Sequence, residues 1–373
     1  MKFRPFPSPV VLLLALLHLY VGVRLLLPFG AVTQIAGWAV LALCLWLFPK
    51  GFWIREDRAP WAMLLPWLAA GFFSWLLVLT VARELSLLVS ALALSPRLHE
   101  SWIRVSAVGV MALTPLITLI GFFMARRTAP VVDVEVPLAG LAKELEGFTI
   151  ALISDIHVGA TIKRNFVAAI VDRVNLLQAD MVAITGDVVD GSVPDLAHHT
   201  EPLARLASRH GTYFVTGNHE YYSGADEWIG ELRRLGARVL MNEHVVLDHD
   251  GAALAVAGVT DWSAHHFDTS HKSDPHAAAR GAPAHALKVL LAHQPRSAHF
   301  AEAAGYHLQL SGHTHGGQFW PWNFLVRLQQ PFTAGLKRLG RMWVYTSRGT
   351  GYWGPPMRFW IPSEITRIRL VGE

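Results

Sequence analysis

A bundle of about four membrane-spanning helices followed by an α/β domain is the architecture this sequence predicts, and three observations carry it. The 373 residues are 52% hydrophobic, with a mean hydropathy of +0.33, too apolar for an ordinary soluble domain. The excess is concentrated before about Met124; beyond it, charges and histidines occur at globular density. In that second part short apolar strands alternate with helical stretches, the pattern of an α/β fold whose sites lie at the carboxyl ends of strands. The expected division is residues 1–128 for the membrane helices, 129–146 for a linker and 147–373 for the α/β domain.

Four stretches are long enough to cross a bilayer, which takes about 20 apolar residues. They are residues 9–27, 31–48, 61–82 and 102–125, with residues 83–100 left open between an extension of the third span and a surface segment. Pro28-Phe29-Gly30 separates the first two, and Pro66 and Pro115 are candidate kinks. The first stretch reads as an anchor and not as a signal peptide, because no small-residue cleavage site follows Leu27 and a second apolar run begins at once. Arg24 lies close enough to a span end to snorkel to the membrane surface. Lys2, Arg4, Lys50, Arg55, Arg58, Arg126 and Arg127 fall on one side; Arg83, Arg97 and Arg104 fall chiefly on the other. That bias places both termini and the α/β domain in the cytoplasm.

Composition excludes several functions. Cys44 is the only cysteine and lies in the second span, so no intramolecular disulfide or cysteine metal site can form. The net charge is only +4, and the juxtamembrane basic residues answer to topology and anionic lipid, not to nucleic acid. The spans carry few charges, which disfavours a transporter. Residues 129–137 alternate apolar and acidic residues between prolines, as an extended connector or edge strand does.

The α/β part delivers metal-ligand chemistry at one strand end after another. Residues 148–154 form a strand followed by Asp155-Ile156-His157, then a helix over 164–177. Residues 181–185 lead to Gly186-Asp187-Val188-Val189-Asp190, residues 212–216 to Gly217-Asn218-His219-Glu220, and residues 287–292 to His293. The fifth strand, 306–310, ends in Ser311-Gly312-His313-Thr314-His315-Gly316-Gly317-Gln318. At a strand end, side chains at i and i+2 share a side, so His313 and His315 can converge on one point. A single such turn is commonly solvated, but five in order are not independent turn chemistry. Carboxylate, amide oxygen and imidazole without thiolate suit divalent ions such as Mn, Fe or Zn.

These motifs resemble, in order and type, the calcineurin-like metallophosphoesterases, over about residue 148 to the C-terminus. No metal-motif position departs from the pattern. The His-Thr-His-Gly-Gly-Gln run and the late Ser347-Arg348-Gly349 are most similar to the membrane-anchored branch. The resemblance implies a sandwich of two mixed β-sheets flanked by helices and a site for two divalent ions, manganese foremost. Asp155, His157 and His315 would hold one, Asn218, His293 and His313 the other, and Asp187 would bridge them. A hydroxide shared by the two cations would attack phosphorus in line. His219 would protonate the leaving oxygen, with Asp190 orienting its ring.

Arg348 and Arg164 are candidates to bind substrate phosphate, Arg348 ahead of Arg164 and Lys163. The aromatic run 319–326 after the last metal turn either packs into the domain or dips into lipid headgroups. The function expected is therefore a membrane-anchored phosphohydrolase. Its substrate would be a phosphodiester or pyrophosphate of a lipid or lipid precursor, of the UDP-diacylglucosamine type by analogy with membrane-bound relatives. The alternatives are a phosphatase for a soluble phosphoester and a non-catalytic membrane receptor or scaffold. The partners expected are the bilayer and a phosphorylated substrate.

Overall fold

The structure, a computed structural model, describes residues 8–52 and 60–373. Lys2, Arg4, Arg55 and Arg58, used above for orientation, lie outside the described residues. The chain forms two compact units: Met1–Arg126 with Gly354–Phe359, and Arg127–Trp353 with Trp360–Glu373.

The first unit holds four long apolar helices, α1 (Ser8–Leu26), α2 (Ala31–Leu47), α3 (Pro60–Ala93) and α4 (Pro96–Arg126). Each is long and apolar enough to cross a membrane. Within residues 83–100, α3 continues to Ala93 and α4 begins three residues later, at Pro96. Large apolar side chains face outward, among them Val32, Leu85 and Leu92, while Val21, Leu25, Phe73, Leu76, Ala107 and Val110 pack inward. Arg24 lies in the last turn of α1 and its side chain is 43% exposed. Its Nε and Nη2 donate to the Glu84 carboxylate at 2.9 and 2.5 Å, so it is held by an ion pair between helices. The pair is partly exposed, the Glu84 side chain at 29%, and each charge has the other as partner. Arg83 is satisfied by the Ser106 hydroxyl and the Ile103 and Arg24 carbonyls. Gly354–Phe359 joins this unit where α3 and α4 carry glycines: a Cβ at Gly71 would lie 2.7 Å, and one at Gly121 2.6 Å, from Met357 atoms. Trp75 Nε1 donates to Met357 Sδ at 3.0 Å.

The second unit is a sandwich of two mixed six-stranded sheets. Its strands are β1 (Val131–Leu138), β2 (Thr149–Ile153), β3 (Met181–Ile184), β4 (Thr212–Phe214), β5 (Ala237–Val239), β6 (Glu243–His249), β7 (Ala252–Gly258), β8 (Leu287–Leu291), β9 (Leu308–Ser311), β10 (Gly335–Leu339), β11 (Met342–Thr346) and β12 (Ile365–Gly372). One sheet runs β1-β12-β2-β3-β4-β5 and the other β10-β11-β9-β8-β7-β6. The apolar-acidic stretch 129–137 becomes the edge strand β1, paired parallel to β12.

Alternate residues of the central strands meet between the sheets. Ile150, Leu152, Met181 and Ala183 face Leu254, Val256, Val289, Leu291, Leu308 and Leu310 in one core. The intervening residues are buried too. On one outer face lies α5 (Arg164–Asn175), with its buried Val167, Ile170, Val171 and Val174; Ala257, Leu290 and Val344 of the other sheet pack with Ala298 and Ala301. Burial on both faces is why these strands are continuously apolar. Strands β2, β3 and β4 are mutually parallel, as are β7, β8, β9 and β11. Their carboxyl ends therefore open on one rim, where the site forms.

Candidate metal centre

Beyond the rim the chain leaves the β conformation abruptly. Asp155, His157, Asp187, His313 and His315 all have left-handed backbones, with φ of 54, 56, 53, 69 and 50°, conformations that cost on the order of 1–3 kcal/mol each in non-glycine residues. The loops after β2 and β3 hold one another in that state. Asp155 N–H donates to Gly186 O at 3.0 Å, His157 N–H to Asp187 O at 3.1 Å, and Asp190 N–H to Val158 O at 2.8 Å. Glycine is required where the loops touch: a Cβ at Gly217 would sit 2.1 Å from Asp187 Oδ1, and one at Gly312 1.9 Å from Ser154 Oγ.

The seven expected ligands gather in two groups. His157 Nε2 and His315 Nε2 face each other at 3.1 Å, with Asp155 Oδ1 3.6 Å from His315 Nε2. In the second group His293 Nε2 lies 3.1 Å from His313 Nδ1 and 3.2 Å from Asn218 Oδ1. Asp187 Oδ2 stands between the groups, 3.1 Å from His293 Nε2 and 3.9 Å from His157 Nε2. His313 and His315 thus do not converge on one point. Their positive φ values break the alternation of an extended strand and send one imidazole to each group.

The chemistry of the donors fits a pair of divalent ions. Ligands about 2.0–2.1 Å from a common ion stand about 3 Å apart, the spacing seen here. The tautomers fit as well. His293 Nδ1 lies 2.7 Å from Thr185 O and His157 Nδ1 lies 2.9 Å from Asp190 Oδ1; each partner accepts a proton from Nδ1 and leaves Nε2 bare toward the group. Asp155, His157 and Asp187 are almost completely buried, and carboxylates in that setting need a cationic partner.

Asp190 serves two rings from one oxygen, since His219 Nδ1 also lies 2.6 Å from Oδ1. His219 stands edge-on to His157, ring centroids 4.7 Å apart. Burial works to lower His219, but the Asp187 and Asp190 carboxylates outweigh it and carry it up to about 9. His293 is likewise held well above its ordinary value, burial being overcome by Asp187. Burial and the neighbouring His293 push His313 down to about 3. Burial would raise Asp187, yet His293 and His219 hold it well below the carboxylate range.

Glu220 had been given no role from sequence. Its buried carboxylate accepts N–H bonds from Asp187 at 2.9 Å, Gly217 at 2.6 Å and Val188 at 2.7 Å, locking the β3 and β4 turns together. Burial and then the Asp187 charge push it up to about 7, a cost that a cation on Asp187 removes. The available signal was an acid in the first turn of the short helix α6 (Asn218–Ser223). Arg348 lies close by, its Cγ 2.9 Å from where a Cβ of Gly316 would be. Its guanidinium is paired with the buried Glu364, which also accepts the Tyr345 hydroxyl. Arg164 is half exposed, bonded to the His198 carbonyl and paired with Glu201. Of the aromatic run, Phe319 is buried, whereas Phe324 and Leu325 are about half exposed; Leu328, just after it, is 83% exposed.

The sequence profile of the calcineurin-like phosphoesterases matches residues 148–317. Proteins described as transmembrane protein with metallophosphoesterase domain, from Danio rerio and Bos taurus, are 38% and 40% identical to this chain. The matches cover 70% and 71% of this chain and 61% and 62% of those relatives; the chain spans about three fifths of their length. An uncharacterized metallophosphoesterase of Aquifex aeolicus is 32% identical over 223 residues, 59% of this chain and 84% of that protein.

Proposed function

This chain belongs to the calcineurin-like phosphoesterase family, and we propose that it is a membrane-anchored, dinuclear-metal phosphohydrolase cleaving a phosphodiester or pyrophosphate. The observation that carries the reading is the pair of ligand groups sharing Asp187, with the Nδ1 atoms of His157 and His293 already engaged. Asp155, His157 and His315 would hold one ion, Asn218, His293 and His313 the other. Two divalent ions bound there supply Lewis acidity and bring a water to hydroxide at neutral pH.

The remaining steps belong to the chain. With Nδ1 engaged by Asp190, His219 carries its transferable proton on Nε2 and gives it to the leaving oxygen. Asp190 keeps that ring and the ring of His157 in register. Arg348 is a candidate to steady substrate phosphate; its pairing with Glu364 fixes the guanidinium in place. Arg164, engaged with Glu201, is the weaker candidate.

A lipid or lipid-precursor substrate fits a catalytic domain on a chain with four candidate spans and an exposed Phe324, Leu325 and Leu328 just beyond the last metal turn. The basic residues flanking the spans favour a cytoplasmic site. Purified full-length protein, stripped of metal and restored with Mn, should hydrolyse a generic phosphodiester, and Asp187→Asn should abolish it. A monoester turned over faster than the diester would instead favour a soluble phosphoester. Metal binding without turnover of any ester or nucleotide-lipid pyrophosphate would overturn the enzymatic reading.

A further inference from the structure

Whatever surrounds the ring of His219 surrounds the leaving group, because that side chain is the one assigned to protonate it. Two aromatic rings stand against it. Tyr222 is centred 5.1 Å away at 61° and Trp353 5.7 Å away at 71°. Phe267 extends the surface, 5.6 Å from Tyr222. The three are 44, 43 and 47% exposed in the order Tyr222, Trp353, Phe267, a cluster of open rings beside a polar centre where a purely structural trio would be buried.

Two of the rings belong to segments tied to the metal turns. Tyr222 follows His219 by three residues on α6, so the two share a face. Trp353 is clamped by Gln318, whose Oε1 accepts from Trp353 N–H and whose Nε2 donates to Trp353 O, both at 2.9 Å. Gln318 lies three residues beyond His315, so the loop that supplies a metal ligand also places this ring.

We propose that Tyr222, Phe267 and Trp353 form a wall against which the departing alcohol stacks, and that the wall selects leaving groups bearing a planar, uncharged ring. The proposal rests on the phosphohydrolase reading and specifies its substrate class. The three side chains carry no charge, so a phosphorylated leaving group gains nothing from them. A flat ring buries a large area on rigid neighbours and surrenders less rotational freedom than an alkyl chain of equal size. Gln318 is then a positioning residue acting through Trp353.

The test compares kcat/KM of Mn-loaded, full-length protein for two methyl phosphodiesters whose leaving alcohols have similar acidity, 2-phenylethanol and 1-butanol. The aryl-to-alkyl ratio is expected near tenfold, the scale of one good aromatic contact. It should fall at least threefold in Tyr222→Ser, Phe267→Ser and Gln318→Ala. A wild-type ratio near one, or variants that lose both substrates equally, would overturn the proposal. Asp187→Asn run alongside separates this from failure of the hydrolase reading, which shows as no metal-dependent turnover of either ester. In that event calorimetry with 2-phenylethyl and butyl phosphonates decides. Tighter binding of the aryl compound, equalised by Phe267→Ser, upholds the wall; equal affinities sink it.

Discussion

Asp190 offers the sharpest test of the proposed chemistry, because one oxygen supports two rings with different duties. Replacing it with alanine removes hydrogen bonds at 2.9 Å to His157 and 2.6 Å to His219. Each is a bond to a charged acceptor, about 1.5–3 kcal/mol. The loss at His157 should weaken metal binding about 10–100-fold, as loss of an outer-shell partner does, and added Mn should restore occupancy. The loss at His219 cannot be restored that way. It removes the carboxylate that helps carry the ring up to about 9 and frees its orientation, so the general-acid contribution of about 10²–10⁴ should be forfeited. The two parts separate by leaving group. At saturating Mn, Asp190→Ala should hydrolyse a 4-nitrophenyl ester, whose phenolate departs without help, at close to the wild-type kcat. An alkyl ester, which needs a proton on its leaving oxygen, should lose at least about 100-fold in kcat. Equal losses on the two esters would refute a proton-donor role for His219, and unchanged metal affinity would refute the support of His157.

Glu220→Gln keeps one acceptor oxygen for three backbone donors and turns its amide toward an N–H, so it should cost about 2–4 kcal/mol by denaturant unfolding and loosen metal binding; unaltered stability would show that the turns hold themselves. Because the Asp187 carboxylate holds His293 well above its ordinary value, metal binding should displace a proton from that ring. Apparent affinity should therefore rise with pH until His293 deprotonates, with proton release visible by calorimetry in buffers of different ionisation enthalpy; zero release would contradict it. Phe324→Ser with Leu328→Ser should depress hydrolysis of a vesicle-borne ester severalfold more than that of a soluble one, and equal effects would rule out a lipid-facing role for this patch.

The sequence by itself determined what is local. Runs of about 20 apolar residues announce the four long helices, and the ligand types at the ends of β2, β3, β4, β8 and β9 announce a candidate site for divalent metal, since strand and ligand are contiguous in each motif. Tertiary structure decided what depends on distant partners or on backbone crowding. Alternation would let His313 and His315 converge; φ values of 69 and 50°, held by loops packed too closely for extended chain, separate them. Arg24 was legible as a charge near a span end, but its pairing with Glu84, 60 positions away, was not. Arg348 was legible as a cation beside the site but not as the partner of Glu364. Asp190 was legible as support for one histidine but not for two, and Glu220 was an ordinary helix-start acid until three backbone N–H groups from two turns converged on it. Ligand chemistry is written in residue type, whereas the wiring between ligands is fixed by which turns the parallel strands bring to the same rim.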